Sequence, residues 1–371
     1  MQNFISLLFL KVMVRIAING YGRIGRVAHR IIIEKFSDEI EVVAINAGKS
    51  TDLKGWMYLL KYDTNYGPLM NHKFSIITAQ EKPLNVQSEA EFLGWLVVDS
   101  KEIAIFADRK PENLPWAAMN IDSVIESTGA FTEYDELKLH INAGAKSVIL
   151  SAPYKGDIPV PTYVLGVNAN PSGEAFSNVI INNASCTTNC ISPVAKILEN
   201  AFGIEKAMMT TIHGYTSDQR IQDGGHKDYR RARTAAENII PTSTGATKAA
   251  AEAIPSLKGI FDGLAIRVPV PVGSLSDFTF LLKRDTTPEE INELFKNAEQ
   301  NEYKGIIETT TDPIVSSDIV GNPHSSIIDL SLTQVVGGNM VKIIAWYDNE
   351  FGYANRLVEQ TLLLGKNVSM S

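Results

Sequence analysis

The first half of the chain consists of short apolar runs separated by amphipathic, helix-compatible stretches. The apolar runs predict strands over residues 14–19, 41–46, 103–106, 123–127, 147–151 and 163–167. Strands that alternate with helices in this way indicate a parallel, doubly wound sheet covered by helices on both faces. We therefore expect an α/β unit in this half of the chain.

The second half has a different pattern. A helix is predicted over residues 191–201, and longer apolar runs predict strands over 207–214, 263–270 and 277–283. Thr287-Pro288-Glu289-Glu290 is typical of a helix start, with a capping threonine and proline in the first turn, and this helix should reach about residue 302. Gly337-Gly338-Asn339 indicates a hairpin turn between strands at 332–336 and 341–346. We expect an antiparallel sheet with helices on one face.

Composition limits the possible functions. With 371 residues and 44% hydrophobic content, the chain is long enough to bury two hydrophobic cores. Its net charge of −8 disfavours strong attraction to nucleic acid or anionic membranes, so the basic cluster Arg230, Arg231 and Arg233 is assigned to small anions or subunit contacts. The only cysteines are Cys186 and Cys190, without the further ligands of a zinc site. No metal is expected.

The amino-terminal residues carry little information. The apolar run 4–10 is too short to span a bilayer and lacks the basic flank and cleavage pattern of a secretory signal. Because Met13 directly precedes the first predicted strand, we interpret residues 1–12 as an extension from an upstream start codon without function. The unpaired cysteines favour a reducing compartment, and we expect a cytoplasmic protein.

A glycine motif indicates a nucleotide site. Gly20-Tyr21-Gly22-Arg23-Ile24-Gly25 follows the first strand and opens a helix, which is the setting of a dinucleotide-binding turn. The second strand ends in Asn46-Ala47-Gly48-Lys49-Ser50, without the carboxylate that usually binds the adenosine ribose. Since Lys49 and Ser50 could bind a 2′-phosphate, we predict that NADP is accepted or preferred. The alternative is that Lys49 is only a solvated loop charge.

Cys186 is the candidate nucleophile. It lies where a strand is predicted to end and a helix to begin, and unpaired N–H groups at a helix N-terminus favour the reactive thiolate. The competing interpretation is a small buried hydrophobic residue, which is the more usual role of a free cysteine. Cys190, one turn further on, is expected to be structural.

Four segments together resemble one enzyme family. They are Ala184-Ser185-Cys186-Thr187-Thr188-Asn189-Cys190, Thr211-Ile212-His213-Gly214-Tyr215-Thr216, Pro241-Thr242-Ser243-Thr244-Gly245-Ala246 and Trp346-Tyr347-Asp348-Asn349-Glu350. From Met13 to its C-terminus the chain resembles phosphorylating glyceraldehyde-3-phosphate dehydrogenases. The resemblance implies an NAD(P)-binding Rossmann domain at 13–185, an α+β catalytic domain with a largely antiparallel sheet at 186–348, and a C-terminal helix within 349–371 that returns to the first domain.

The resemblance also implies the reaction. Cys186 attacks the aldehyde carbon of D-glyceraldehyde 3-phosphate, and His213 takes the thiol proton and then serves as acid and base. Hydride leaves for the nicotinamide of NAD or NADP, and a thioester remains. Inorganic phosphate attacks the thioester and releases 1,3-bisphosphoglycerate. The direction of flux, glycolytic or gluconeogenic, is not fixed by the residues.

Ligand-binding residues follow by the same resemblance. Those for the substrate phosphate are Thr216, Asp218 and Arg267. Those for inorganic phosphate are Ser185, Thr187, Arg231, Thr244 and Gly245. Those for the cofactor are Asn19, Gly20, Gly22, Arg23, Ile24, Gly25, Ala47, Arg109, Ser127, Thr128, Gly129, Ser151 and Asn349. Asn349 would hold the nicotinamide carboxamide, because a side-chain amide both donates and accepts hydrogen bonds.

Three departures from the family pattern stand out. Ala47 replaces the usual aspartate, and Gly224-Gly225 replaces a Leu-Pro pair found in members restricted to NAD; both make room for a 2′-phosphate. The third departure, Pro271-Val272-Gly273-Ser274, lacks an asparagine often found after the second proline and is expected to lie away from the chemistry. The resemblance further implies a homotetramer, because the loop 224–233 would act partly in a neighbouring subunit.

Rival functions share this scaffold. Erythrose-4-phosphate dehydrogenase has the same nucleophile motif, although Gly214-Tyr215-Thr216-Ser217-Asp218-Gln219 favours the triose enzyme. A hydrolysing enzyme would replace phosphate by water. A catalytically idle NAD(P)- or RNA-binding protein is disfavoured because Cys186, His213 and Arg267 are all present.

Overall fold

A computed structural model describes residues 13–169, 176 and 178–369. The predicted extension at 1–12 lies outside the described residues. The elements of the first half are β1 (Val14–Asn19), α1 (Arg23–Ile31), β2 (Ile40–Asn46), α2 (Leu53–Lys61), β3 (Phe74–Thr78), β4 (Glu91–Val98), β5 (Lys101–Ala107), β6 (Ser123–Glu126), α3 (Tyr134–Asn142), β7 (Ser147–Leu150) and β8 (Ile180–Asn182). A π-helical segment, Ile32–Phe36, extends α1.

These strands form one sheet in the order β3-β4-β5-β2-β1-β6-β7-β8. The pairs from β5 through β8 are parallel, while β4 pairs antiparallel with β3 and β5. The predicted doubly wound α/β fold is confirmed, with an antiparallel edge that the sequence pattern did not indicate. Since β1 has β2 on one side and β6 on the other, a crevice opens beyond the carboxyl ends of β1 and β6, which is where such folds bind ligands.

The strand predicted over 163–167 is wrong. This segment makes only isolated bridges, from Thr162 to Asn182 and from Leu165 to Ala169. The cause is Asn168, whose side chain accepts a hydrogen bond from the Val164 N–H at 2.8 Å and donates to the Thr162 carbonyl at 2.8 Å. A side chain that binds its own neighbouring backbone produces a turn in place of a ladder.

The elements of the second half are α4 (Cys186–Phe202), β9 (Ile204–Gly214), β10 (Ile240–Ser243), α5 (Ala246–Ala253), β11 (Phe261–Val268), β12 (Ser274–Leu282), α6 (Pro288–Gln300), β13 (Ile307–Thr310), β14 (Ser326–Asp329), β15 (Gln334–Val336), β16 (Met340–Tyr347) and α7 (Phe351–Ser369). The sheet order is β10-β11-β9-β12-β16-β14-β13, with β15 on β16. Two pairs, β9–β11 and β13–β14, are parallel, so the sheet is largely antiparallel, as expected. The predicted hairpin joins β15 and β16 through Gly337 and Gly338, both at positive φ.

Helix α4 packs on the second sheet, α7 packs on the first, and the two helices contact each other. The apolar face of α4 packs in the core of the second sheet through Cys190, Ile191 and Val194. Helix α7 packs against α1 and β1, and its Gly365 lies so close to Val14 that a Cβ atom there would be 2.1 Å from the valine side chain. Among the described helices, none has the length and hydrophobicity needed to cross a bilayer.

Candidate active site

The glycine turn after β1 meets three different steric demands. Gly20 has φ of +95°, and a Cβ there would lie 2.6 Å from the Thr128 nitrogen; a Cβ at Gly25 would lie 2.3 Å from the Gly20 carbonyl oxygen. Gly22 has no neighbour within 4 Å of a Cβ position. It precedes α1 without a side-chain cap, so the first-turn N–H groups of that helix remain available to an anion. The turn therefore fits a dinucleotide pyrophosphate.

A cleft of ≈ 510 Å³ joins this turn to the second sheet. Its volume is suited to a small-molecule ligand. The predicted site residues that line it are Gly22, Arg23, Ile24, Ser127, Thr128, Gly129, Ser151, Ser185, Cys186, His213, Thr216, Asp218 and Asn349. Residues predicted to bind a cofactor and residues predicted to perform chemistry thus share one cleft.

Cys186 is the first residue of α4, which begins earlier than the predicted 191–201 because Ser185 caps it. The Ser185 hydroxyl accepts a hydrogen bond from the Thr188 N–H at 3.0 Å. The preceding residue, Ala184, has φ of +58°, a left-handed conformation that costs about 1 kcal/mol or more outside glycine. It is held there by Asn182, whose side-chain oxygen accepts from the Ala184 N–H at 2.7 Å. This turn exposes the half-buried Cys186 to the cleft.

His213, near the end of β9, faces the cysteine. Its Nε2 lies 3.4 Å from the Cys186 Sγ, and its Nδ1 lies 2.6 Å from the Gly214 carbonyl oxygen. Nδ1 is also 2.8 Å from the Arg267 Nη1, which can only donate, so its two neighbours favour opposite tautomers. The shorter contact, to the Gly214 carbonyl, favours a proton on Nδ1; we propose this tautomer, which leaves Nε2 free to accept the thiol proton. Parallel pairing of β9 with β11 aligns Arg267 with His213, and the Arg267 Nη1 donates to the same Gly214 oxygen at 3.1 Å.

Burial sets the protonation of this pair. It raises the pKa of the Cys186 thiol, and the positive charge of Arg267 and hydrogen bonds from Thr187 oppose that shift. Burial and Arg267 lower the pKa of His213 to about 3. Both directions favour a neutral thiol beside a neutral imidazole, whereas the helix N-terminus alone predicted a thiolate. Burial is the largest of the effects on both pKa values.

Some of the predicted phosphate-binding residues line the cleft, and others lie at its edge. Thr216 and Asp218 line it, and the Asp218 carboxylate accepts a hydrogen bond from Arg231 Nη1 at 2.6 Å. Arg231 also donates to the Ser243 carbonyl at 3.2 Å, next to Thr244. Asp218 therefore orients Arg231 at the edge of the cleft.

Thr187 does not face the cleft. Its side chain is buried, with Oγ1 3.0 Å from the Tyr347 hydroxyl in the second sheet. Thr244 and Gly245 lie at the start of α5, where the Thr244 hydroxyl accepts from the Ala246 N–H at 3.2 Å. The structure thus brings Ser185 to the cleft, leaves Thr187 in the core and puts Thr244 and Gly245 at a second helix N-terminus.

One predicted cofactor residue, Arg109, lines a second cavity of ≈ 510 Å³ by the carboxyl ends of β2 and β5, together with Gly48 and Lys49. Ala47 is not a lining residue; it directly precedes Gly48, and its N–H donates to the Phe106 carbonyl at 2.8 Å. The charged residues around it are Lys49, Arg109, Lys110, Glu89, Glu91 and Asp108. Neither Lys49 nor Arg109 forms an ion pair with another residue in the described part of the chain.

Asn19 is buried behind the glycine turn. Its carboxamide donates to Glu126 at 2.5 Å and accepts from Asn46 at 2.7 Å, so its side chain supports the turn and does not reach the cleft.

Glu126, at the end of β6, was not among the predicted site residues. It also accepts from the Thr128 N–H at 2.8 Å and is 3.0 Å from His140 Nε2. A carboxylate that ends an apolar strand just before Ser-Thr-Gly is the signal that could have identified it.

Residues 271–274 do not lie away from the chemistry, contrary to the expectation. The Asn349 side-chain oxygen accepts from the Gly273 N–H at 3.0 Å and from the Ser274 hydroxyl at 2.9 Å. Gly273 has φ of +99°, and a Cβ there would lie 2.6 Å from the Ser316 carbonyl oxygen. The glycine in this departure from the family pattern is therefore required by backbone conformation and space.

Comparison with known proteins agrees with this geometry. Residues 14–134 match the model of the glyceraldehyde 3-phosphate dehydrogenase NAD binding domain, and residues 185–349 match that of the C-terminal domain. A glyceraldehyde-3-phosphate dehydrogenase 2 of Streptomyces avermitilis is 48% identical over 359 residues, covering 96% of this chain and 99% of that protein. A glyceraldehyde-3-phosphate dehydrogenase of Borreliella burgdorferi is 50% identical over 352 residues, covering 93% and 98%.

Proposed function

The chain belongs to the glyceraldehyde-3-phosphate dehydrogenase family and is an NAD(P)-dependent oxidoreductase; from that premise we propose that Cys186 and His213 perform the phosphorylating oxidation of D-glyceraldehyde 3-phosphate. The observation that carries the proposal is the 3.4 Å separation of the Cys186 Sγ and the His213 Nε2 in a cleft that also contains the glycine turn. A nucleophile in direct contact with its base is what covalent aldehyde oxidation requires.

In this mechanism His213 moves one proton repeatedly. As the Cys186 sulfur adds to the aldehyde carbon, Nε2 takes the thiol proton and passes it to the developing oxyanion, which forms the hemithioacetal. Nε2 then removes the hydroxyl proton as hydride leaves the same carbon, and a thioester remains on Cys186. NAD(P)⁺, when bound, supplies the hydride acceptor. Phosphate attack on the thioester carbonyl expels the sulfur, which recovers its proton from His213.

Two arginines supply the anion sites in this proposal. Arg267 is half-buried beside His213, and its buried Nε has no hydrogen-bond partner among the described residues, which fits a donor for an oxyanion. We assign the substrate phosphate to Arg267 and Thr216. Arg231, with Thr244 and Gly245 at the start of α5, would receive inorganic phosphate, while Asp218 orients Arg231 without contacting the anion, since two negative groups repel each other.

The cofactor proposal is that NADP is accepted or preferred. Its support is the absence of a carboxylate at Ala47 and the presence of Lys49 and Arg109 at the cavity beyond β2. Specificity constants for NAD and NADP, measured separately with saturating substrate and phosphate, test it. Ala47→Asp should lower kcat/KM for NADP about tenfold or more through charge repulsion and leave NAD use intact. Strong NAD preference in the wild type would reject the proposal while retaining the enzyme assignment.

We further propose a cytoplasmic homotetramer. Three large apolar side chains in the segment 215–239 are strongly exposed in the single chain: Ile221 at 80%, Tyr229 at 87% and Ile239 at 71%. Burial of these side chains against a neighbouring subunit would be favourable. Light scattering should give four times the 40.7 kDa chain mass, and a fully active monomer would contradict the proposal. We also propose that the first domain ends at residue 185, that the second begins at residue 186, and that α7 packs on the first domain.

Product analysis separates the main proposal from its rivals. With saturating phosphate, oxidation of glyceraldehyde 3-phosphate should yield acyl phosphate in a one-to-one ratio with reduced cofactor. Free acid in its place would indicate hydrolysis, and a higher kcat/KM for erythrose 4-phosphate would indicate the tetrose enzyme. Absence of turnover with either aldehyde would favour the idle scaffold.

A further inference from the structure

The orientation of the Asn349 carboxamide is fixed by the chain itself. A backbone N–H can only donate, so the side-chain atom 3.0 Å from the Gly273 nitrogen must be the oxygen. The Nδ2 group at the other end of the amide donates no hydrogen bond to any described residue. Since Asn349 lines the cleft, Nδ2 is the end that is available to a ligand.

Ser274 provides the second contact and links it to the histidine. Its hydroxyl accepts from the Gly214 N–H at 3.2 Å and donates to the Asn349 oxygen at 2.9 Å. Gly214 is the residue whose carbonyl receives the His213 Nδ1–H. Ser274 is only 2% exposed, so bulk water cannot easily replace its hydroxyl. One buried hydroxyl therefore joins the backbone next to His213 to the side-chain amide of Asn349.

We propose that the Gly273 N–H and the Ser274 hydroxyl are positioning groups that hold Nδ2 of Asn349 toward the cleft, so that the site recognises the carbonyl oxygen of the nicotinamide carboxamide. The inference rests on the proposed cofactor role of Asn349. Ser274 acts through Asn349 and does not itself contact the cofactor in this proposal. In the opposite orientation the amide would present its oxygen, which binds an NH₂ group and repels a carbonyl.

Two cofactors distinguish these orientations. NAD carries both a carbonyl and an NH₂ group on its pyridine ring, whereas 3-acetylpyridine adenine dinucleotide carries the carbonyl and a methyl group. An amide that donates through Nδ2 binds both. An amide turned by 180° gains a bond to the NH₂ group of NAD but faces the carbonyl of the analogue with its oxygen. The ratio of the two dissociation constants therefore reports the orientation of Asn349.

The test is calorimetric titration of the full-length protein with each dinucleotide, without aldehyde. In Ser274→Ala the Gly273 N–H still holds the amide oxygen, so the dissociation constants for both dinucleotides should rise about five- to tenfold over wild type, by the same factor, as one buried hydrogen bond is lost. Ser276→Ala, in the same strand and without a hydrogen bond to Asn349, is the matched control and should leave both constants unchanged.

A second variant covers the case in which Ser274→Ala does not fold. Asn349→Asp presents an acceptor to the cleft in either orientation and should raise the ratio of the dissociation constant for the analogue to that for NAD. Unchanged dissociation constants in a folded Ser274→Ala protein, or an unchanged ratio in Asn349→Asp, would overturn the positioning role. If wild type binds neither these dinucleotides nor their 2′-phosphorylated forms, the proposed function itself fails, so the two failures are distinguishable.

Discussion

The Sγ of Cys186 lies 3.4 Å from the Nε2 of His213, although the two residues are 27 positions apart and belong to a helix start and a strand end. At this distance a thiol proton can pass directly to the imidazole, without an intervening water. Burial raises the pKa of Cys186 and lowers that of His213, which favours the neutral form of both groups, so in the proposed mechanism the histidine would act as a base during attack and would not hold a preformed ion pair.

Removal of this base should slow the chemistry and leave the fold intact. We expect His213→Gln to lower kcat about 10²- to 10⁴-fold, the usual contribution of general acid–base catalysis. Stopped-flow measurement of reduced cofactor gives the rate. His72→Gln is the matched control, because His72 pairs with Asp99 and lies outside the cleft. A His213→Gln enzyme within threefold of wild type would exclude the histidine as the base.

Arg267 should control the reactivity of the thiol. Its positive charge lowers the pKa of Cys186 against the opposing effect of burial, so Arg267→Gln should move the pH midpoint of iodoacetamide alkylation upward. Arg267→Lys keeps the charge and should shift the midpoint less. Alkylation followed by mass measurement across pH provides the test. An identical midpoint in wild type and Arg267→Gln would refute the assigned electrostatic effect.

The glycine turn offers a paired test of binding and stability. Gly22→Ala has open space and should leave the melting temperature unchanged, while cofactor affinity falls about tenfold as the methyl group occupies the ligand approach. Gly25→Ala puts a Cβ 2.3 Å from the Gly20 carbonyl and should cost about 1–3 kcal/mol of stability. Thermal melts and calorimetry measure both quantities. Equal affinity in Gly22→Ala and wild type would remove this turn from the cofactor site.

Acid sensitivity should depend in part on His29. Burial lowers its pKa to about 3 from an ordinary 6.5, and its Nδ1 lies 2.6 Å from the Tyr21 hydroxyl. The unfolded chain binds the proton first as pH falls, so the stabilisation is complete above pH 6.5 and is lost progressively below it. Between pH 7 and 5 this loss should be about 1–2 kcal/mol and absent in His29→Gln. Urea unfolding at both pH values measures it; equal pH dependence in both proteins would contradict the prediction.

Structural features that depend on a few neighbouring residues were predicted correctly from the sequence. The β1-turn-α1 unit follows from three glycines whose steric roles the structure reproduces, and the β15–β16 hairpin follows from Gly337 and Gly338. The contact of Arg267 with His213 could not be read from the chain, because it depends on the register of β9 with β11. Strand β3 was missed because its residues are only partly buried at a sheet edge and lack a continuous apolar run.

The direction in which individual side chains point was the second feature that the sequence did not predict. Thr187 lies beside the nucleophile in sequence, but the first turn of α4 directs its hydroxyl toward Tyr347. Ser274 was missed because its partner, Asn349, is 75 positions away in the sequence. A residue that acts through so distant a partner has no signature in a single sequence.

The most direct test of the covalent mechanism is mass spectrometry of the Cys186 peptide after the enzyme is mixed with glyceraldehyde 3-phosphate and NAD(P)⁺ without phosphate. We predict a 3-phosphoglyceroyl group on Cys186, formed together with reduced cofactor and discharged as acyl phosphate when phosphate is added. Reduced cofactor without an adduct, or an adduct on another residue, would contradict the assignment of Cys186 as the nucleophile.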